Sequence, residues 1–231
     1  MSVETVWCVV PTAGQVVPLG SDLPPTRLPL GGSTVVEQTL GCLAAHPRVA
    51  GLMVALDRND AHGLAVDHLH GKPVLTTDGG FSRCDAVLAG LRALPEAVGE
   101  RDFVLVHDPL RPYVRGADIE RLITEAAPAG GGLLALPLRD MLKCANDQRC
   151  SELTERLDRR WLALTPQMFR RGELTRVMQA VANRGWTVSD EAMAMEIAGF
   201  RPLLVEGAAD NIRVVSPDDL AYAGFLLARK A

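Results

Sequence analysis

Four short, almost wholly aliphatic runs constrain this chain more than any other feature: residues 5–10 (TVWCVV), 51–56 (GLMVAL), 103–106 (FVLV) and 132–136 (GLLAL). Apolar residues fill both odd and even positions, so each run fits a strand covered on both faces. Between the runs the spacing turns helical. Ser33 and Thr34 offer an N-cap to a stretch carrying Val36, Leu40 and Leu43. Residues 82–94 place Val87, Leu88, Leu91 and Leu94 on one face, and Pro95 ends the pattern. Further helices are expected near 169–182 and 190–198 and from Pro217, with a strand near 203–205. Strands alternating with helices predict an α/β domain spanning 1–231, built on a mostly parallel sheet with helices on both faces. Ligands of such sheets sit beyond the carboxyl ends of the strands.

Bulk properties narrow the class. With 48% hydrophobic and 23% charged residues in 231, the chain has ordinary globular composition. A net charge of −4 argues against nucleic acid or acidic lipid as a partner. An anionic substrate would need a local cluster of arginine and lysine. Cys8, Cys42, Cys84, Cys144 and Cys150 are scattered without a C-x-x-C, as expected of reduced thiols in a cytoplasmic protein. No basic leader with a cleavable apolar region and no 18-residue apolar run is present, so neither secretion nor a membrane span is expected. Residues 143–160 (KCANDQRCSELTERLDRR) break the pattern and read either as a hairpin arm or as a solvated loop.

The polar residues that follow the strands are the candidates for chemistry. Pro11, Thr12, Ala13 and Gly14 form a small-residue loop whose amides can approach a phosphate or a base, or form only a tight turn. In V-H-D-P-L-R-P, Asp108 can ligate Mg²⁺ and Arg111 can fork onto a phosphate; the alternative is a loop salt bridge between them. His107 reads as a buried, hydrogen-bonded imidazole. Thr165 stands beside a proline in L-T-P-Q, and Ser189 precedes Asp190-Glu191, where a helix N-cap is the competing role. Asp210 and Arg213 lie close together in E-G-A-A-D-N-I-R. No G-x-G-x-x-G follows the first strand, which disfavours a dinucleotide-binding oxidoreductase.

In order, VVPTAG, DGGFSRCDAVLAGL, VLVHDPLRP, LPLRDMLK, LALTPQMF, SDEAMAMEIAGF, VEGAADNIRV and SPDDLAYA resemble the 2-C-methyl-D-erythritol 4-phosphate cytidylyltransferase family over nearly the whole chain. The resemblance implies a Rossmann-like nucleotidyltransferase fold with a protruding β-arm at about 143–160, and a homodimer joined through that arm. It implies transfer of a cytidylyl group from CTP to methylerythritol phosphate with Mg²⁺ and release of pyrophosphate. By position, Pro11 to Gly14, Gly80 and Arg83 would cradle the nucleotide. Asp108 would contact metal and substrate, and Arg159 (or Arg160) and Arg213 would hold the substrate phosphate. Arg111, Thr165, Ser189 and Asp210 would complete the pocket.

The family pattern breaks in the first loop. Val16 stands for a glycine, Pro18 for an arginine and Pro25 for a lysine, which removes two cations from the transferring phosphate. Loss of one such group typically costs about 3 kcal/mol, so the implied enzyme would be weakened unless Arg27 substitutes. The alternative implied is an impaired homologue kept as a binding or regulatory partner. Phe81 for an acid, Ala86 for a serine and Met141 for a threonine depart further.

Overall fold

The computed structural model describes residues 5–14, 23–60 and 63–229. In chain order these form β1 (Val6–Pro11), a 3-10 turn (Pro25–Arg27), β2 (Pro29–Leu30), β3 (Ser33–Thr34), α1 (Val35–Ala44), β4 (Val49–Leu56), β5 (His68–Leu69), β6 (Lys72–Asp78), α2 (Arg83–Ala93) and β7 (Phe103–Val106). There follow α3 (Gly116–Ala126), β8 (Gly131–Pro137), β9 (Leu142–Ala145), β10 (Ser151–Glu155), β11 (Trp161–Arg170), α4 (Arg171–Asn183), α5 (Glu191–Ile197), β12 (Leu203–Glu206) and α6 (Pro217–Ala228).

Eight strands make one sheet in the order β12-β8-β11-β7-β1-β4-β6-β5. β7, β1, β4 and β6 run parallel to one another, and so do β12 and β8. β11 lies between β7 and β8, antiparallel to both. The sheet is thus mostly parallel, as the aliphatic runs require. Successive residues of β1 and β7 point to opposite faces, and both sets are buried. Cys8, Val10, Phe103 and Leu105 pack with Leu40 and Leu43 of α1 and Ile119 and Leu122 of α3. Val9, Val104 and Val106 pack on the other side with Leu91 of α2, Leu174 and Met178 of α4, and Met195 of α5. Each buried leucine-sized side chain contributes about 2 kcal/mol, so these two layers outweigh local propensity.

The caps agree with the sequence. Thr34 Oγ1 accepts from the Glu37 amide while Glu37 accepts from the Thr34 amide, a closed capping box at α1. Ser82 caps α2 through the Asp85 amide at 3.1 Å. β9 and β10 pair only with each other, as an antiparallel hairpin within the excursion expected at 143–160. Among the described residues no helix is long and apolar enough to cross a membrane. β1 lies between β4 and β7, to which the chain crosses in opposite directions, so a crevice opens at the carboxyl ends of β1 and β7.

Candidate active site

The loop after β1 is tied to the end of β4. Thr12 gives its amide to Ala55 O at 2.9 Å, and its hydroxyl accepts from the Asp57 amide at 3.0 Å. Ala13 is fully buried against Ala55 and Ala86. Gly14 has φ +74°, and a Cβ there would stand 2.8 Å from the Arg83 amide nitrogen. The loop backbone therefore rests on the first turn of α2, an approach that only glycine permits. Gly80, at φ +70°, turns the chain from β6 toward the same helix. Pro11 to Gly14, Gly80 and Arg83 are brought together as expected, while Val16 and Pro18 lie outside the described residues.

Beyond β7, Asp108 is the centre of a charged cluster. Its Oδ2 accepts from Arg213 Nε at 2.6 Å and its Oδ1 from the Leu110 amide at 3.0 Å. Burial alone would raise its pKa. The charges of Arg213, Arg83 and Arg111 and the Leu110 amide reverse that and hold the carboxyl below its ordinary value. Arg83 in turn gives one nitrogen to both oxygens of Glu191, each at 3.1 Å. Glu191 is 1% exposed, and burial pushes its pKa up against the pull of Arg83. Three arginines thus gather around Asp108 and Glu191, with Asp190 a third carboxylate acting on Arg83 and Glu191. The alternative reading of the motif, an Asp108–Arg111 salt bridge, gives way to an Asp108–Arg213 pair. Arg111 instead donates to the Asn211 carbonyl at 2.6 Å, and its pKa is lowered by burial and by the neighbouring arginines.

A neutral network underlies these charges. Asp108 gives its amide to Thr165 Oγ1 at 3.1 Å, and Thr165 Oγ1 meets His107 Nδ1 at 3.1 Å. His107 Nε2 faces the Arg111 carbonyl at 3.0 Å. Asn211 Nδ2 donates to the Thr165 carbonyl at 2.7 Å. β11 leaves its ladder with β8 between Ala163 and Gln167, and Thr165 occupies that break beside the donor-less Pro166. His107 is wholly buried, and burial lowers its pKa to about 4. The folded state therefore resists a proton that the unfolded chain accepts below about 6.5. Stability is full above that pH and drains as pH falls toward 4. Denaturant melts should show about 2 kcal/mol lost to this group between about pH 7 and about pH 5. His46, also lowered by burial, adds to the loss, and Glu191, raised, opposes it. A His107→Gln chain should lose this share of the slope; an unchanged slope would refute the assignment.

Other expected residues are placed differently. Arg27 is bound to Asp60 through Nε at 3.1 Å and to Asp60 and the Gly63 carbonyl through Nη2, with 10% of its side chain exposed. That ion pair engages the guanidinium expected to replace the missing cations. Pro25 is buried at the start of the 3-10 turn. Asp210 pairs with Arg115 in a fork of 3.0 and 2.7 Å. Ser189 is exposed and touches Met193 Sδ; the N-cap of α5 is Asp190, whose Oδ1 accepts from the Met193 amide at 2.8 Å. Arg159 is exposed at φ 62° between β10 and β11. Phe81, in place of an acid, lies 5.0 Å beneath the Arg58 guanidinium. Gln167, Glu191 and Asn211 carried no assigned role from sequence, although each stands inside a family block. Gln167 joins β11 to α5 through Asp190 Oδ2 at 2.9 Å and the Ala192 amide at 2.7 Å.

Among the described residues no three metal-ligating side chains gather. Asp108 stands as a single carboxylate, which suits an ion carried in on a triphosphate and not a protein-built cage.

Residues 6–229 match the family described as 2-C-methyl-D-erythritol 4-phosphate cytidylyltransferase. A protein of that name from Stenotrophomonas maltophilia (strain R551-3) is 48% identical over 227 residues, covering 98% of each chain. One from Xanthomonas euvesicatoria pv. vesicatoria (strain 85-10) is 49% identical over 228 residues, 98% of this chain and 86% of the relative. The Francisella tularensis enzyme structure superposes with a TM-score of 0.82 at 27% identity, over 96% of this chain and 99% of that one. The Thermus thermophilus structure gives 0.78 at 28%, over 97% and 99%. A family pattern matched almost end to end, with relatives near half identity over the same span, settles the membership: the chain belongs to the 2-C-methyl-D-erythritol 4-phosphate cytidylyltransferase family.

Proposed function

We propose that this chain transfers the cytidylyl group of CTP to 2-C-methyl-D-erythritol 4-phosphate and releases pyrophosphate. The observation that carries the reading is the Asp108 cluster, where Arg83, Arg111 and Arg213 converge at the mouth of the β1–β7 crevice. The Gly14 loop and Gly80, resting on α2, form the nucleotide side. Asp108, Arg111, Thr165 and Arg213 form the polyol-phosphate side.

An oxygen of the substrate phosphate attacks the α-phosphorus of CTP, and the bond from that phosphorus to the oxygen bridging the β-phosphate breaks in line. The chain's task is to align the two phosphates and offset their repulsion. Arg213, with 39% of its side chain exposed, is the guanidinium that can turn from Asp108 to an arriving phosphate. Arg111 has a buried Nε with no hydrogen-bond partner among the described residues, and such an orphan donor costs about 1 to 3 kcal/mol until an acceptor arrives. Mg²⁺ bound with the triphosphate would supply charge neutralisation, and Asp108 is the carboxylate that would hold it.

The β9–β10 hairpin and Arg159 support the arm of a homodimer, in which Arg159 completes the partner's site; light scattering should then return twice the chain mass. Five free cysteines fit a reducing, cytoplasmic setting. Neither the expected weakening nor the impaired-homologue reading finds favour, since the full-length relatives bear the enzyme's name.

The first test is pyrophosphate release by pure protein. Turnover that needs CTP, Mg²⁺ and methylerythritol 4-phosphate together is expected; none above an enzyme-free blank overturns the reading. Arg27→Ala tests the relocated cation. As a strut for Asp60, its loss should lower stability by about 2 kcal/mol with kcat within about threefold. A collapse of kcat at unchanged melting temperature would return Arg27 to the transferring phosphate.

A further inference from the structure

His107 lies below the site, out of reach of solvent. Its ring is wholly buried, and its two nitrogens meet an uncharged hydroxyl and an uncharged carbonyl. Asp108 and Arg111 face it from its own turn and Arg83 from α2, but among the described residues no carboxylate is hydrogen bonded to the ring. A carbonyl oxygen can only accept, so the proton belongs on Nε2, where it is donated to the Arg111 carbonyl. Nδ1 is then an acceptor and fixes the direction of the remaining bond: Thr165 Oγ1 donates to it. The same oxygen already accepts from the Asp108 amide at 3.1 Å. A hydroxyl has one proton and two lone pairs. With the proton and one lone pair taken, only one lone pair is left.

We propose that His107 is a positioning residue that fixes the polarity of Thr165, so that Thr165 meets the substrate only as an acceptor and selects a polyol hydroxyl over a phosphate oxygen. The same ring pins the turn from Asp108 to Arg111 by its second bond. One imidazole thereby sets both the aim of the arginine and the chemical sense of the threonine. This rests on the polyol-phosphate reading given above, while the protonation pattern itself does not.

The test has two parts. Long-range ¹H–¹⁵N spectra of the full chain with labelled histidine, at about pH 7, should show His107 with Nε2 protonated and Nδ1 bare, the signal being assigned by its loss in His107→Gln. A proton on Nδ1 would overturn the proposal whether or not the enzyme turns over. In kinetics, His107→Gln keeps a donor near the Nε2 position and loses the acceptor at Nδ1. It should raise KM for the polyol phosphate on the order of tenfold while leaving KM for CTP within about twofold. His107→Asn keeps the acceptor near Nδ1 and should raise it less, and it serves if the glutamine chain fails to fold. Equal rises in both KM values, or none, would mean general loosening and refute the role. A wild-type chain with no turnover would instead sink the functional reading, leaving the spectra to judge His107.

Discussion

Asp108→Asn should lower kcat/KM for the polyol phosphate by at least about hundredfold and cost about 3 kcal/mol of stability. The side chain is isosteric, so the effect isolates charge and hydrogen bonding. Asp108 presents an acceptor to the Leu110 amide and another to Arg213. An asparagine offers one acceptor, so its NH₂ must face one of those donors. The substitution also leaves Arg83, Arg111 and Arg213 to repel one another around a side chain in a residue only 6% exposed. At about 3 °C per kcal/mol for a chain of this size, the melting temperature should fall by about 9 °C. Melts and steady-state rates measured together check both halves. A variant with wild-type kcat/KM would show that the arginines, and not Asp108, organise the site.

Glu191→Ala should cost a similar 3 kcal/mol or so, by a different route. Glu191 is buried at 1% exposure and holds Arg83 by both oxygens. Removing it strands a guanidinium with 22% of its side chain exposed at the start of α2. That turn is also where the Gly14 loop rests, so KM for CTP should rise about tenfold or more, while KM for the polyol phosphate moves less. Replacing Arg83 and Glu191 together with methionines should restore much of the stability, since a buried pair exchanged for apolar groups is often neutral. The double variant should keep its weak hold on CTP. If stability returned and CTP affinity with it, the ion pair would be only a structural tie.

How far the sequence disclosed this arrangement depended on how each residue is surrounded. β1, β4, β7 and β8 were legible because each is buried on both faces and carries almost nothing but aliphatics. β6 was not, since Val74 is its one fully buried residue and Pro73 and two threonines blur any period. α3 showed its signal in Ile119, Leu122, Ile123 and Ala126 and was passed over, hidden behind the motif that precedes it. β11 was obscured by its own break at Thr165. In the site, Asp108, Arg111, Arg213 and Thr165 fell together, the first two just past β7, Arg213 in the chain after β12 and Thr165 at the break within β11. Their pairing did not follow, because pairing is decided by elements a hundred residues apart. Arg213 reaches Asp108 across 105 positions, and Arg83 reaches Glu191 across 108. Arg27 could be read as a spare cation only while Asp60 was unseen.

The placement of β11 has a consequence for how the protein is made. It lies between β7 and β8 in the sheet but follows both in the chain. While a nascent chain grows, β7, β1, β4 and β6 can assemble, but the outer edge of β7 stays open until residues 161–170 emerge. At roughly 5 to 20 residues per second that wait lasts about 3 to 13 s. Through it a row of unpaired amides and carbonyls lies bare to other chains. The late strand also brings Thr165 to His107, so the joint that shields the newborn protein from aggregation is the one that completes its site.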